Sequence, residues 1–80
     1  MRVTEHFKER LSERFGYEIE DLVSEIINPI YLSKNSEELK FFPQFRNSFR
    51  KYPNSIIIIL NRLNMCLISS EKTLITCYSL

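Results

Sequence analysis

The sequence predicts an α+β fold in which an N-terminal helical hairpin packs on a small twisted antiparallel sheet. Two observations lead to this prediction. Apolar residues recur at helical spacing in the first third of the chain, whereas the last third contains short apolar and β-branched runs separated by polar turns. With 80 residues, we expect a single domain, spanning 1–80, around one core.

The first helix is predicted over residues 4–15. Thr4 is a suitable N-cap, and Gly16 suits the left-handed position that ends a helix. Its apolar stripe recurs every four residues: Val3, Phe7, Leu11 and Phe15. A second helix is predicted over residues 18–27, with an apolar face made of Ile19, Leu22, Val23, Ile26 and Ile27. The apolar faces of this hairpin need a sheet to cover them.

The middle of the chain has the weakest pattern. Ile30–Leu32 is predicted to be a short strand, and Leu39–Phe42 is predicted to be another. The segment 43–52 allows a helical turn, because Phe45 and Phe49 are four residues apart. Further on, Ile56–Leu60 is apolar at every position, which is typical of an internal strand buried on both faces.

The last two strands, 65–69 and 73–79, are expected to form a hairpin centred between Glu71 and Lys72. This register places Cys66 opposite Cys77. The face toward the helices would then carry Cys66, Ile68, Ile75 and Cys77, and the other face Met65, Leu67, Thr76 and Tyr78. Because two cysteines are too few for a disulfide framework and lack metal-ligand spacing, we expect reduced, buried neighbours and a cytoplasmic protein.

Composition excludes several classes of protein. A single glycine rules out the glycine-rich phosphate loops of P-loop and Rossmann proteins. The longest apolar run has five residues, so no membrane span is expected. The net charge of +1 conceals an imbalance: residues 1–38 carry five basic and nine acidic side chains, and residues 39–80 carry six basic and one acidic. A basic C-terminal half favours an anionic partner.

One row of the first helix contains His6, Arg10 and Arg14, four residues apart. The row is rotated by about 100° from the apolar stripe, so it lies at the edge of the buried face. An imidazole and two guanidiniums in this arrangement can hold a phosphate and move a proton. The alternative is structural: the arginines cover the rim of the core, and Glu13 pairs with Arg10.

A second candidate site is the basic and aromatic segment 40–52. Its cations, Lys40, Arg46, Arg50 and Lys51, stand among five aromatic residues: Phe41, Phe42, Phe45, Phe49 and Tyr52. This composition suits phosphate contact combined with base stacking, and therefore nucleic-acid binding. Alternatively, the phenylalanines belong to the core and the cations keep a surface loop soluble.

The pattern at the two ends of the chain resembles a known family. A helix with His6, Arg10 and Arg14, and a last strand with Thr76 and Tyr78 as Thr-x-Tyr, are similar to small bacterial and phage proteins of the RelE-like and BrnT-like toxin superfamily. The likeness covers both ends and is loose from residue 33 to 53. It implies helices on one face of an antiparallel sheet and, in many relatives, a toxin that cuts RNA without metal or cofactor.

On this resemblance the protein would be a toxin-like endoribonuclease with His6, Arg10, Arg14 and Tyr78 as its catalytic residues. RNA and a cognate antitoxin would be its partners. The alternative function is a small non-enzymatic binding or inhibitor protein that engages a host protein or nucleic acid. A homodimer, in which the basic half of one copy meets the acidic helix of another, is a further alternative.

Overall fold

The computed structural model describes residues 2–80. Its regular elements in chain order are β1 (Arg2–Val3), α1 (Glu5–Phe15), α2 (Ile19–Glu25), β2 (Ile30–Leu32), α3 (Arg46–Lys51), β3 (Ile56–Leu60), β4 (Met65–Ser70) and β5 (Thr73–Ser79). Short 3₁₀ turns lie at Glu37–Phe41, Pro43–Phe45 and Asn61–Leu63. The five described strands form one mixed sheet in the order β1-β5-β4-β3-β2. The α+β class is therefore confirmed.

The two predicted N-terminal helices are present. The hydroxyl of Thr4 caps α1 by accepting a hydrogen bond from the backbone N–H of Phe7 at 3.0 Å. Gly16 ends this helix with a φ of 69°, in the left-handed region that favours glycine. Helix α2 is shorter than predicted, because it ends at Glu25 and its backbone leaves the helical region at Ile26.

The C-terminal meander is also present. Strand β3 pairs antiparallel with both β2 and β4, so the internal position predicted for Ile56–Leu60 is confirmed. Ile57 through Leu60 are buried, whereas Ile56 is exposed. Neighbouring strands pair with both edges of an internal strand, and other elements pack on both of its faces. This burial explains its continuous apolar sequence.

The prediction of a wholly antiparallel sheet is wrong at its edge. Val3, which was counted in the apolar stripe of the first helix, belongs instead to β1, which pairs in parallel with the start of β5. The backbone N–H of Thr4 continues this pairing with a bond to the carbonyl of Leu74. The first turn of α1 is thereby fixed to the last strand. A two-residue parallel strand is too short to produce a sequence pattern.

The sheet is covered on both faces, not on one. Helices α1 and α2 pack on one face of the sheet and form with it a core of Phe7, Leu11, Leu22, Ile58, Leu60, Met65, Leu67, Leu74 and Cys77. The 3₁₀ turns and α3 pack on the opposite face, with Leu32, Phe45, Phe49, Ile57, Ile59, Cys66 and Ile68. The result is a three-layer arrangement, with the sheet between two helical layers.

The predicted register of the β4–β5 hairpin is wrong. Its turn is where predicted, but the pairing slips between Ile68 and Ser69, whose partners are Thr76 and Leu74. Ile75 is thus an extra residue in β5, a β-bulge. Beyond the bulge the side chains of β5 are shifted by one position relative to those of β4, so Cys66 lies opposite Tyr78, and Cys77 lies opposite Leu67. Cys77 packs toward α1 as predicted, but Cys66 and Ile68 pack on the opposite face, and Met65 and Leu67 pack toward the helices in their place. The two free cysteines are buried in different cores.

The strand predicted at Leu39–Phe42 is wrong as well, since a 3₁₀ turn occupies Glu37–Phe41. Its backbone groups are satisfied locally, with N–H groups of Leu39 and Phe42 donating to carbonyls three residues earlier. The following Pro43 starts a second turn of the same kind. None of the helices in residues 2–80 has the length and apolar character of a membrane-spanning helix.

Candidate functional site

Helix α1 presents the predicted row of His6, Arg10 and Arg14. His6 and Arg14 are exposed, and Arg10 is half-buried. The neighbouring stripe, with Phe7 and Leu11, is fully inside the core. The row therefore lies at the rim of the helical layer, as the spacing indicated.

Arg14 joins the end of α1 to β5. Its Nη1 donates a hydrogen bond to the carbonyl oxygen of Cys77 at 2.8 Å. The pairing of β1 with β5 in the described chain covers only Thr73 and Leu74. From Ile75 to Ser79 this side of β5, here called the β5 edge, offers backbone groups to side chains. Arg14 satisfies one of these groups.

Arg14 also contacts the aromatic ring of Tyr78. The guanidinium carbon lies 4.9 Å from the ring centre, within the range of a cation–π interaction. Side chains alternate along a strand, and Cys77 packs in the α1 core, so Tyr78 belongs to the opposite face. Arg14 therefore reaches around the β5 edge from one face of the sheet to the other. Tyr78 remains 44% exposed.

Arg10 belongs to the same cluster. It forms an ion pair with Glu13 at 2.8 Å. This pair was predicted from the sequence as part of the structural alternative. Burial raises the pKa of the Cys77 thiol, and the positive charges of Arg14 and then Arg10 oppose this rise. Both guanidiniums thus act on the region around Cys77, where α1 meets β5. Arg14 and the ring of Tyr78 meet at this edge, and the charge of Arg10 acts on the Cys77 thiol beside them.

Thr4 holds the other end of α1 on the same strand. Its hydroxyl donates a hydrogen bond to the carbonyl oxygen of Ile75 at 3.2 Å. A bulged residue has no strand partner, so Thr4 compensates for the bulge while it caps the helix. The sequence predicted Thr4 as the cap of the helix but not its bond to Ile75. Together, Thr4 and Arg14 fix α1 along β5, and they thereby fix the row that lies between them.

The basic segment forms a separate surface on the other face of the sheet. Its four cations, Lys40, Arg46, Arg50 and Lys51, are all exposed. The sequence left open whether the phenylalanines of this segment belong to the core or to the surface. Phe45 and Phe49 are 6% exposed and belong to the core, whereas Phe41 is 70% exposed and lies on the surface. The ring of the partly buried Phe42 stacks on Phe45 with centres 5.9 Å apart.

The predicted site residues thus fall into two groups. The sheet lies between α1 and α3, so the row on α1 and the cations of the basic segment are on opposite sides of the molecule. Tyr78 shares the α3 side by strand alternation, and Arg14 reaches it from the α1 side.

A cleft of about 410 Å³ opens elsewhere in the helical layer. It contains none of the predicted site residues, and its lining is Val3, Lys8, Leu11, Tyr17, Glu18, Ile19 and Glu20. Three chain segments, β1, α1 and the start of α2, contribute to it, and no local motif could have indicated it. In residues 2–80 no group of three or more His, Cys, Asp or Glu side chains is arranged to hold a metal ion.

Comparison of the chain with protein-family models, curated proteins and solved structures gives no match. The β5 edge and the basic segment therefore carry the chemistry from which a function is inferred.

Proposed function

We propose that the protein is a toxin-like, metal-independent endoribonuclease of RelE-like type. The observation that carries this proposal is the cluster at the β5 edge, where Arg14 contacts Tyr78 and Arg10 lies nearby. His6 precedes Arg10 by one helical turn in the same row and is exposed. These are the groups that RNA cleavage without a metal requires, and they lie along one continuous rim.

The chemistry can be assigned to these side chains. Cleavage begins when the 2′-oxygen of RNA attacks the adjacent phosphorus and loses its proton to a base, a role we give to His6. Negative charge grows on the phosphorane oxygens, and the guanidiniums of Arg10 and Arg14 stabilise it. The bond from phosphorus to the 5′-oxygen then breaks, and that oxygen takes a proton from an acid. Tyr78 is our candidate acid or positioning group. The products are a 2′,3′-cyclic phosphate and a 5′-hydroxyl.

The architecture is compatible with the RelE-like assignment. An N-terminal helix pair packs on a sheet whose last three strands form an antiparallel meander. The final strand carries both Thr76 and Tyr78. The parallel strand β1 and the helix on the second face depart from the simple two-layer expectation. The buried Thr76, 5% exposed, has a structural role, which leaves Tyr78 as the residue of this motif that RNA can contact.

The test is cleavage of a 5′-labelled single-stranded RNA in the presence of a chelator. We expect fragments that end in a 2′,3′-cyclic phosphate. His6→Ala should reduce the rate by about 100-fold or more, since general acid–base catalysis contributes ~10²–10⁴-fold, and it should leave RNA affinity unchanged. Glu9→Ala is the matched control, because Glu9 is exposed on the same helix outside the row.

Two results would refute the ribonuclease proposal. One is intact RNA after prolonged incubation with the parent protein at low salt. The other is cleavage by the His6→Ala protein at the parental rate. Tyr78→Phe keeps a ring beneath Arg14 and removes the hydroxyl, so it separates a proton-transfer role of the phenol from a packing role of the ring.

A specific observation favours the second candidate function, a non-enzymatic RNA-binding or inhibitor protein. Arg10 is engaged by Glu13, and Arg14 by the Cys77 carbonyl, so both guanidiniums already have partners within the chain. A phosphate clamp must share or exchange these contacts. RNA binding without any cleavage by the parent protein would select this second function.

A further inference from the structure

The basic segment exposes one aromatic ring, and its position is unusual. Phe45 and Phe49 are buried, and Phe42 and Tyr52 are half-buried, but Phe41 is 70% exposed. The 3₁₀ turn Glu37–Phe41 explains the position, since Leu39 and Phe42 pack against the core of the α3 face while Phe41 points outward. A largely solvated phenylalanine forgoes most of the stabilisation that burial of its ring would provide.

A positive charge lies next to the exposed ring. The Nζ of Lys40 lies 5.2 Å from the centre of the Phe41 ring. No acidic residue occurs between positions 39 and 70. The 3₁₀ turn of Phe41 contacts the turn at 43–45, which in turn contacts α3, so the cations of Arg46–Lys51 continue the same surface.

Charge is distributed unevenly along this surface, with acidic residues at one end and basic residues at the other. Glu37 and Glu38 lie at the start of the turn that ends with Phe41, and their carboxylates repel phosphates. Apart from Lys40, the basic residues of this segment follow Phe41 toward α3. A polyanion that contacts the ring is therefore directed toward Arg46 and Arg50 and away from the start of the turn.

We propose that Phe41 is a stacking platform for an unpaired base of single-stranded RNA, with Lys40 and the exposed cations of α3 on the adjacent phosphates. A flat exposed ring beside cations is the arrangement by which proteins bind single strands, because every base has a π-face and every nucleotide a phosphate. A duplex keeps its bases paired and cannot offer one to the ring. The proposal takes its ligand from the proposed function but does not require cleavage.

Fluorescence provides a direct test. The chain contains no tryptophan, so Phe41→Trp introduces a single indole at the platform. Titration with a ten-nucleotide oligouridylate at low salt should quench its emission as a base stacks on it. Tyr31→Trp is the matched control, because Tyr31 is 63% exposed on β2, close in sequence to the acidic helix α2. Its emission should not change.

Affinity provides the second arm. Every measurement with RNA uses the His6→Ala background, which limits cleavage during the titration. Phe41→Leu should weaken binding of the oligouridylate by about 5- to 100-fold, the range expected for one stacked base, and the salt dependence should stay the same because no charge is lost. A duplex of equal length should bind more weakly to the parent, and Phe41→Leu should not alter that binding.

The proposal of a stacking platform is wrong if Phe41→Leu binds the single strand as tightly as the parent, if the duplex binds equally well, or if no single strand binds. It is also wrong if RNA binds while the indole at position 41 shows no quenching. Failure of the ribonuclease proposal alone would give a different result. Single-stranded RNA would still bind more weakly to Phe41→Leu than to the parent, but the parent would not cut it.

Discussion

The Nη1 of Arg14 lies 2.8 Å from the carbonyl oxygen of Cys77, and this bond links the last turn of α1 to the strand that ends the chain. The two residues are 63 positions apart. Because β1 is too short to cover this part of β5, the arginine replaces a strand partner. The same side chain contacts Tyr78, so one residue serves both the fold and the candidate site.

Removal of the Arg14 side chain should therefore destabilise the fold. Arg14→Ala removes a hydrogen bond from a charged donor and the contact with Tyr78, and we expect a loss of about 1.5–3 kcal/mol in the free energy of unfolding. Arg10→Ala is the control, since its ion pair with Glu13 is at the surface and should contribute less than about 1 kcal/mol. Urea denaturation followed by circular dichroism measures both. Equal losses for the two variants would remove the structural role assigned to Arg14.

The sequence predicted the elements of this protein better than their connections. The helices were predictable because apolar period and caps are local, as Thr4 and Gly16 show. Strand β1 was not, because its pairing with Thr73 depends on residues at the other end of the chain. The bulge at Ile75 was not predictable either, since no glycine or proline marks it. It places Cys66 and Cys77, which were predicted to share a face, on opposite faces of the sheet.

The candidate site was predictable in part for the same reason. The row of His6, Arg10 and Arg14 follows from helical spacing alone. Its contact with Tyr78 requires Arg14 to reach across the β5 edge, and that depends on the bulge and on the missing strand neighbour. The exposure of Phe41 depends on a 3₁₀ turn in a place where the residues are β-prone.

The β4–β5 turn offers a stabilising substitution. Glu71 and Lys72 have φ values of 51° and 63°, and Ser70 pairs with Thr73 on either side of them, so the turn is of type I′. Side chains other than glycine and asparagine are strained in this region by about 1 kcal/mol each. Glu71→Asn combined with Lys72→Gly should raise the free energy of unfolding by roughly 1–2 kcal/mol.

Glu71→Ala combined with Lys72→Ala is the matched control for the turn, because it removes the same charges and keeps the strain. Thermal unfolding should show a higher midpoint for the Asn-Gly protein and no increase for the alanine protein. If both variants are stabilised alike, charge and not backbone conformation limits the stability of this hairpin.

Stability should fall at alkaline pH because of Cys66. Burial raises the pKa of its thiol to about 11 from an ordinary value of 9.0, although a backbone hydrogen bond involving Tyr78 partly opposes the rise. Below pH 9 the thiol is neutral in both the folded and the unfolded protein. Between pH 9 and 11 the Cys66 thiol ionises in the unfolded chain but stays neutral in the folded protein. Its contribution to the free energy of unfolding therefore decreases as the pH rises, by up to roughly 2–3 kcal/mol in total.

Cys66→Ala tests this linkage. The variant is less stable than the parent at neutral pH because it leaves a small cavity, but its free energy of unfolding should decrease less between pH 8.5 and 11. The measured quantity is the difference between the two pH profiles, obtained from urea denaturation at each pH. Parallel profiles would show that Cys66 does not contribute to alkaline unfolding.

The cations of α3 should control the salt dependence of RNA binding. Arg50 and Lys51 are exposed at the end of this helix. Each phosphate contact on a single strand contributes about −0.7 to the slope of log K against log salt. In the His6→Ala background, Arg50→Ala with Lys51→Ala should weaken binding of a single-stranded RNA and reduce the magnitude of this slope by about 1.4. Arg2→Ala with Lys8→Ala removes the same charge from β1, at the opposite edge of the sheet from β2, and from α1, which packs on the other face of the sheet from α3, and it should leave the slope unchanged. A uniform effect of both pairs would mean that RNA responds to the net charge of the protein and not to the surface that contains Phe41 and α3.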